Sequence, residues 1–168
     1  MNKLLQKDIS RYCSKKEMPL FQYYFRLSNN KSILKYIYRF LYRCLMKLNN
    51  IEISYTTKID GGLYIGHPYC ITINPKAIIG KNCNIHKGVT IGQENRGKRK
   101  GAPIIGDSVW IGVNATIVGI IMIGDDVLIA PNSYVNVDIP SHSVVFGNPC
   151  IIKHKENATY EYVCRKIK

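Results

Sequence analysis

The sequence predicts a mainly β protein whose central part is a parallel β-helix. From residue 59 to residue 135, isoleucine or valine recurs with a period of six, and glycine often comes next. β-Branched side chains suit stacked strands, and a fixed short period is typical of a solenoid. The spacings of three and four that an amphipathic helix needs do not occur in this stretch. The recurring residues are Ile59, Ile65, Ile71, Ile79, Ile85, Ile91, Ile105, Ile111, Ile117, Ile123, Ile129 and Val135.

Two intervals in this series are longer than six residues. The interval from Ile71 to Ile79 has two extra residues, which we expect near Asn74 and Pro75. The interval from Ile91 to Ile105 contains QENRGKRKGAP, which is too polar to stack in a core. It therefore predicts a protruding loop over 93–103, and long loops on rigid scaffolds often carry function.

Length and composition predict one domain with appendages. We expect an N-terminal helical segment over 1–50, the β-helix over 51–153 and a C-terminal tail over 154–168. No apolar run is long enough to cross a membrane, and the N-terminus lacks the apolar core of a secretory signal. The six cysteines are scattered without a CxxC pair, which is typical of free thiols in a reducing cytoplasm and gives no zinc-ligand spacing.

The formal net charge of +13 is concentrated near the N-terminus. Residues 1–50 contain eleven Lys and Arg against two Asp and Glu. This excess favours anionic partners such as a membrane surface or a phosphorylated ligand. No nucleic-acid-binding motif accompanies it, so we expect no nucleic acid partner.

A helix with two distinct stripes is predicted from Ser32 onward. One stripe is apolar, and a basic stripe lies beside it. Such a helix either lies on an anionic membrane or packs against the β-helix or a neighbouring subunit. The apolar stripe consists of Ile33, Ile37, Phe40, Leu41, Cys44, Leu45 and Leu48, and the basic stripe of Lys31, Lys35, Arg39, Arg43 and Lys47.

Histidine is the strongest candidate for catalysis in this sequence. His67 follows Ile65, and His86 follows Ile85, so the two lie near each other if three hexads form one coil. An imidazole is the usual general base for a hydroxyl group. Surface or turn positions remain an alternative for each histidine. No Ser-His-Asp arrangement and no phosphate-binding glycine loop is visible.

Residues 50–153 resemble the hexapeptide-repeat (left-handed β-helix) acyltransferases, and within them the serine O-acetyltransferase branch. The motifs that carry this resemblance are the hexads, KIDGGLYIGH, IHKGVTIGQENRGKRKGAPIIGDSVWIG and IPSHSVVFGNPCIIK. The interval across the loop equals the corresponding interval in that branch. The resemblance implies a left-handed β-helix, a homotrimer with active sites between subunits, and acetyl-CoA bound along the β-helix.

The resemblance also assigns roles to individual residues. His67 aligns with the catalytic base, and Glu52 stands where the family has its supporting aspartate. No cysteine falls at a matched nucleophile position, so we expect direct transfer without a metal. The positions that align with acetyl-CoA contacts are Gly92, Gln93, Val113, Ala130, Pro131 and Lys153.

Departures from the family at three residues and in the N-terminal region lead to a prediction about the acceptor. Gly66, Gly101 and Ala102 replace the charged or polar residues that hold serine in the family, and the N-terminal helical region is shortened. We therefore expect O-acetylation of a sugar hydroxyl in capsule or surface-polysaccharide synthesis, with serine as the alternative acceptor. An amino-sugar N-acetyltransferase, a γ-type carbonic anhydrase and a non-catalytic scaffold are further alternatives. The basic loop from Arg96 to Lys100 meets a phosphate or is simply solvated.

Overall fold

The computed structural model describes residues 2–29 and 32–168, and it confirms the predicted β-helix with an N-terminal helical segment. Lys31 of the predicted basic stripe lies outside the described residues. The helices are α1 (Lys3–Ile9), α2 (Leu20–Leu27) and α3 (Lys35–Leu48). The strands are β1 (Glu52–Ile53), β2 (Lys58–Ile59), β3 (Tyr64–Gly66), β4 (Thr72–Ile73), β5 (Ile78–Ile79), β6 (Asn84–His86), β7 (Thr90–Gly92), β8 (Ile104–Ile105), β9 (Trp110–Ile111), β10 (Thr116–Val118), β11 (Met122–Ile123), β12 (Val127–Ile129), β13 (Tyr134–Val135), β14 (Ser143–Phe146) and β15 (Ile151–His154).

The strands form the three faces of a prism. Sheet A has the order β1-β4-β7-β10-β13, sheet B β2-β5-β8-β11, and sheet C β3-β6-β9-β12-β14-β15. All pairs are parallel except β14 with β15. Each coil contributes one strand to each face in turn, an arrangement consistent with the predicted left-handed β-helix.

The interior of the prism is a set of stacked columns of aliphatic side chains. In sheet A, Ile73 stacks on Ile53 and Ile91, and the column continues through Ile117 to Val135. These side chains are almost completely buried. Burying one such side chain contributes about 1.5–3 kcal/mol, so the repeated isoleucines supply most of the driving force for this fold.

The prediction that the extra residues lie near Asn74 and Pro75 is wrong. The sheet A column uses Ile73 rather than Ile71, because Ile73 pairs with Ile91. The two extra residues therefore lie between Ile65 and Ile73, in the turn that contains His67. Both Ile71 and Ile73 are buried isoleucines, which is why the period alone could not separate them.

Helices α2 and α3 cover the open end of the solenoid at its first coil. Phe25 and Tyr42 join the same buried cluster as Ile53. The hydroxyl of Tyr42 donates to the carbonyl of Ile53 over 2.6 Å, and burial raises the pKa of this phenol. An uncovered end would expose core side chains and unpaired strand edges to water, so the helices act as a cap.

A buried polar cluster fastens α1 and α2 to the β-helix. The carboxylate of Asp8 is fully buried and lies 2.7 Å from Nε of Arg26. It also accepts hydrogen bonds from Gln22 and from the backbone amides of Gly62 and Leu63. A buried carboxylate needs such partners, and here they come from helix α2 and from the connection between β2 and β3.

Helix α3 contacts the β-helix through a different face from the one that its apolar stripe suggests. Tyr42 is fully buried against the first coil. Ile33, Ile37, Phe40 and Leu48 of the apolar stripe are exposed. The helix packs on the β-helix as one interpretation expected, but most of the stripe points outward. No helix in the described ranges is both long and apolar enough to span a membrane.

The C-terminal tail folds back onto the solenoid instead of fraying. The carboxylate of Asp126 accepts hydrogen bonds from the amides of Ala158 and Thr159 and from the Thr159 hydroxyl. Further along, the guanidinium of Arg11 donates to the carbonyl of Cys164 over 2.9 Å. The tail and the N-terminal segment thus meet on the outer surface of sheet C.

Candidate functional site

His67 lies in a turn that differs from its counterparts in the later coils. The turn from sheet C to sheet A takes eight residues from Ile65 to Ile73, whereas Ile85 to Ile91 takes six. His67 and Cys70 both have φ of 55°, a left-handed conformation that is uncommon outside glycine. The amide of Tyr69 donates to the carbonyl of His67 over 2.8 Å. The longer turn therefore sets His67 apart from the regular edge of the prism.

A groove of about 640 Å³ lies beside His67. One wall belongs to the β-helix and the other to the segment between α1 and α2, which contains Lys15, Lys16 and Glu17. These three residues form a short 3-10 turn, and all are exposed. The groove therefore presents cationic and anionic side chains next to an imidazole. The remaining lining residues are Tyr12, Met18, Pro19, Leu20, Tyr64, Ile65, Gly66, Pro68 and Tyr69.

Tyr12 holds this wall in place. Its hydroxyl donates to Gln22 over 2.7 Å and accepts a 2.8 Å hydrogen bond from the amide of Ile65, two residues before His67. Its ring also stacks on Tyr64 at a centroid distance of 4.8 Å. Burial raises the pKa of the Tyr12 phenol, so it stays neutral and keeps its donor. These contacts therefore fix the 3-10 turn of Lys15 to Glu17 relative to strand β3, which precedes His67.

Glu52 occupies the strand that stacks beside the end of the His67 turn. It pairs with Thr72, and its amide donates to the carbonyl of Ile71 over 2.8 Å. Its side chain is exposed and borders a groove with Met46. Within the described residues, no hydrogen bond or ion pair joins Glu52 and His67. The two share one edge of the prism, and their pairing stays a prediction.

His86 occupies the space above Gly66. A Cβ atom at residue 66 would lie 2.7 Å from Cδ2 of His86 and 2.9 Å from its Nε2. The imidazole is fixed because Nδ1 lies 3.0 Å from the carbonyl of Ile111, and its ring packs on Trp110. Burial lowers the pKa of His86, so the neutral form is favoured. An acidic side chain at residue 66 would therefore displace this histidine.

The predicted acetyl-CoA contacts divide between two edges of the prism. Val113, Ala130 and Pro131 lie where sheet C turns into sheet A, on the same edge as His67. Gly92 and Gln93 lie on the next edge, where sheet A leads into sheet B. Stacked turns along the His67 edge are joined by backbone hydrogen bonds from Gly88 to Tyr69, Asn114 to Lys87 and Asn132 to Val113. These bonds keep the edge straight.

Lys153 lies apart from both edges. It is exposed on β15, where it pairs with Val144 at the last strand of sheet C. Its ammonium group lies 5.6 Å from the ring centroid of Phe146. The structure therefore brings His67, Glu52 and three of the predicted contacts to one edge, but places Lys153 at the far end of the solenoid.

The loop over 93–103 leaves the second edge and is closed by its own backbone. Glu94 and Gly101 exchange hydrogen bonds of 3.0 and 2.9 Å, and the carbonyl of Arg99 accepts from Ile120. A Cβ at Gly101 would lie 2.9 Å from Cβ of Ile120. The base of the loop therefore packs tightly on the next coil, while Gln93 to Lys100 are exposed.

Sequence reasoning missed the contribution of the segment between α1 and α2. Lys15, Lys16 and Glu17 have no periodic relation to His67, and about fifty residues separate them. The polar cluster around Asp8, the Tyr12 bond and the buried guanidinium of Arg11, which donates to Gly62 and Asn84, bring this segment to the groove. In the described part of the chain, no group of three or more His, Cys, Asp or Glu side chains is arranged to hold a metal ion.

Comparison with curated proteins finds serine acetyltransferases. The chain is 35% identical to serine acetyltransferase of Helicobacter pylori (strain ATCC 700392 / 26695) over 113 residues, which are 67% of this chain and 66% of that protein. It is 39% identical over 99 residues to serine acetyltransferase of Staphylococcus aureus (strain Mu50), covering 59% of this chain and 46% of the relative. The chain thus spans just under two thirds of one relative and about half of the other. No protein-family model matches the chain.

Solved structures give the same result. Serine acetyltransferase of Neisseria gonorrhoeae in complex with serine has a TM-score of 0.71 and 27% identity, covering 90% of this chain and 68% of that one. The soybean serine acetyltransferase apoenzyme has a TM-score of 0.65 and 26% identity, covering 79% of this chain and 54% of that one.

These matches contradict the prediction of a sugar hydroxyl as acceptor in capsule or surface-polysaccharide synthesis, because the similar proteins are serine acetyltransferases. That prediction relied on Gly66, Gly101 and Ala102 and assumed that no other residue provides charged contacts. Lys16 and Glu17 line the groove beside His67, so charged side chains from the N-terminal segment are present near this histidine. The comparisons favour the alternative, serine.

The prediction of an acetyl-CoA-dependent acyltransferase is supported by the same comparisons. By sequence and by fold together, these comparisons support a hexapeptide-repeat acyltransferase, and the proteins that this chain is similar to are serine acetyltransferases.

Proposed function

We propose that this chain is a serine O-acetyltransferase that transfers an acetyl group from acetyl-CoA to the hydroxyl of L-serine. The similarity to serine acetyltransferases supports this proposal. The observation that carries it within the molecule is the groove beside His67, which combines Lys15, Lys16 and Glu17 with an imidazole. A free amino acid has one carboxylate and one ammonium group, and the groove offers a partner for each.

In this proposal the N-terminal segment replaces the acceptor contacts that the β-helix lacks. Lys16 would bind the serine carboxylate, and Glu17 would bind the ammonium group. Glu17 is partly oriented already, since its Oε2 accepts from the amide of Cys13 over 3.1 Å. A site that pairs both charges discriminates against acceptors that lack them, because its own charged groups would otherwise stay unpaired.

The chemistry requires one base and no covalent enzyme intermediate. His67 would remove the proton from the serine hydroxyl as the oxygen attacks the thioester carbonyl. The C–S bond then breaks, and the thiolate of CoA leaves and takes up a proton. Glu52 is proposed to orient the imidazole and to stabilise its protonated form, in the manner of other His-carboxylate pairs.

The donor would lie along the edge that carries His67, Val113, Ala130 and Pro131, with Gly92 and Gln93 on the adjacent edge. The proposed acetyl-CoA contacts of a single copy therefore lie on two different edges of the prism. We propose a homotrimer in which the loop over 93–103 of one copy completes the site of its neighbour. Sheet B supports this assembly, because its outer surface is an exposed apolar row of Ile78, Ile104 and Met122.

Lys153 is proposed to meet a CoA phosphate as a point charge beyond the end of this path. The proposed location is the cytoplasm, where six free cysteines fit a reducing environment.

The test is release of CoA thiol from acetyl-CoA by the full chain, with L-serine and with a panel of sugars as acceptors. We expect turnover on serine and none on sugars. His67→Ala should abolish turnover, while His154→Ala serves as a matched control because this histidine is exposed on β15, where its side chain lies near Glu156 and His142. Turnover on sugars without turnover on serine would overturn the proposal.

The acceptor contacts have their own test. Lys16→Gln and Glu17→Gln should each raise KM for serine at least tenfold, with a smaller change in kcat and none in KM for acetyl-CoA. Lys87→Gln, on the next turn of the same edge, is the control for a lost surface charge. Unchanged serine KM in both variants would show that other groups hold the acceptor.

A further inference from the structure

Helix α3 and the turn before it expose an unusual row of apolar side chains. The relative exposure of Ile33 is 78%, that of Ile37 56%, that of Phe40 65% and that of Leu48 77%. At 100° per residue, Ile37, Phe40 and Leu48 fall within about 80° of the helix circumference, and Ile33 lies just before the helix begins. A continuous apolar surface of this kind marks a contact with a partner or a membrane.

The helix cannot rotate to bury this row. Its opposite face is fixed by Tyr42, which is fully buried and donates to the carbonyl of Ile53 over 2.6 Å. Leu45 and Met46 pack against the same core cluster. The apolar row therefore points permanently away from the solenoid.

Cations flank the row on one side. Arg43 and Lys47 are exposed, whereas Arg39 is engaged, with its guanidinium 4.2 Å from the ring centroid of Tyr55 and its Nε donating to Ser28. No acidic residue occurs between Met18 and Ile51. Among the described residues, the ion pair of Arg26 with Asp8 is the only one formed by a lysine or arginine. The exposed cations thus remain available to anions.

We propose that the outer face of α3 binds the surface of an anionic lipid bilayer. The helix would lie in the plane of the interface, with Ile37, Phe40 and Leu48 in the boundary between headgroups and acyl chains. Arg43 and Lys47 would contact lipid phosphates. An apolar face beside a cationic flank is the pattern by which amphipathic helices bind such surfaces.

Charge argues against a symmetric contact between the α3 helices of two copies of the chain. A symmetric contact between two copies of α3 would bring the same surface of each copy together. Arg43 and Lys47 would then face their own counterparts, and the helix provides no carboxylate to compensate. A surface of uniform negative charge is complementary to this face, whereas the face is not complementary to itself.

The experiment is co-sedimentation of the full chain with vesicles of phosphatidylcholine alone and of phosphatidylcholine mixed equally with phosphatidylglycerol. We expect binding to the anionic vesicles and little to the neutral ones. The double variant Arg43→Glu/Lys47→Glu should bind anionic vesicles roughly thirtyfold or more weakly. Phe40→Ser should weaken binding as well, since it removes apolar area from the interface.

The matched control is Lys166→Glu/Lys168→Glu, which makes the same change in net charge at exposed positions of the tail. Binding of this control like the unaltered chain supports a specific surface on α3. An equal loss in the control, or no vesicle binding by the unaltered chain, would overturn the proposal. A concentration-dependent increase in mass that Phe40→Ser abolishes would assign the face to a second copy instead. Serine turnover in solution should stay unchanged in these variants, so the outcome is independent of the proposed function.

Discussion

Replacing Asp8 by asparagine would test whether the N-terminal segment is fixed as described. The substitution keeps the shape of the side chain but removes its charge. It leaves the guanidinium of Arg26, 97% of whose side chain is buried, without a counter-ion. It also places an amide group where the backbone amides of Gly62 and Leu63 and the side chain of Gln22 all donate. At least one of these donors would lose its acceptor.

The expected cost follows from this loss of partners. Breaking a buried ion pair by removing one charge destabilises a protein by about 3–5 kcal/mol. For a chain of this size, each 1 kcal/mol lowers Tm by about 2–4 °C, so Tm should fall by about 6–20 °C. Asp60→Asn is the control, because Asp60 is exposed and its side chain accepts from the adjacent amide of Gly61.

The assay is thermal unfolding of the full chain followed by circular dichroism, together with serine KM at a temperature where the variant is folded. Displacement of the segment that contains Lys15 to Glu17 should raise serine KM but leave the acetyl-CoA KM unchanged. If Asp8→Asn melts within about 2 °C of the unaltered chain, at the low end of the shift for 1 kcal/mol, the buried cluster does not fasten the segment and this reasoning fails.

Three further predictions concern the tail, a thiol and a turn. Burial would raise the pKa of Asp126, but hydrogen bonds from Thr159 and His142 outweigh it and lower the pKa, while the Asp126 bond raises the pKa of His142. The contribution of Asp126 to folding stability is present above about pH 4 and is lost as the pH falls through its lowered pKa. The contribution of His142 is present below about pH 6.5 and is lost as the pH rises through its raised pKa. The protection of the Thr159 amide hydrogen from exchange, measured against an unstructured peptide at the same pH, should therefore be greatest between these values, and Asp126→Asn should remove the dependence. Burial raises the pKa of Cys83 to about 12, so mass spectrometry should show this thiol unalkylated in the native protein and alkylated after denaturation. Gly88→Ala should lower stability by at least about 1 kcal/mol in urea unfolding, because residue 88 has φ of 73° and its new Cβ would collide with the Asn114 side chain.

The hexad period predicts the fold because each core column needs the same residue type at the same place in every coil. The period fails only where two candidates stand close together, as with Ile71 and Ile73. The sequence misplaced the extra residues there, and so did not reveal that the His67 turn is the longer one. Pairing with Ile91 resolves the ambiguity, and pairing is a long-range property.

The candidate site was predictable where the motif spacing is local. Glu52 pairs with Thr72, which follows His67 in the same turn, so Glu52 and His67 lie near the same edge although they are not one coil apart in sequence. No sequence period predicts the position of the 3-10 turn formed by Lys15 to Glu17. Its place depends on buried bonds between Asp8, Tyr12 and the β-helix, which no single-sequence pattern encodes.

The hydrogen-bonded turns along the His67 edge keep successive coils of the solenoid at a constant spacing. Adjacent coils are separated by the strand spacing of about 4.8 Å, so the turn with Pro131 lies about 14 Å from the turn with His67, three coils away. In the proposed binding mode, an extended donor molecule would therefore span a whole number of coils along this edge. Deleting one coil would shorten that span by about 5 Å without changing its direction, so the number of repeats would set the distance that the acyl group reaches.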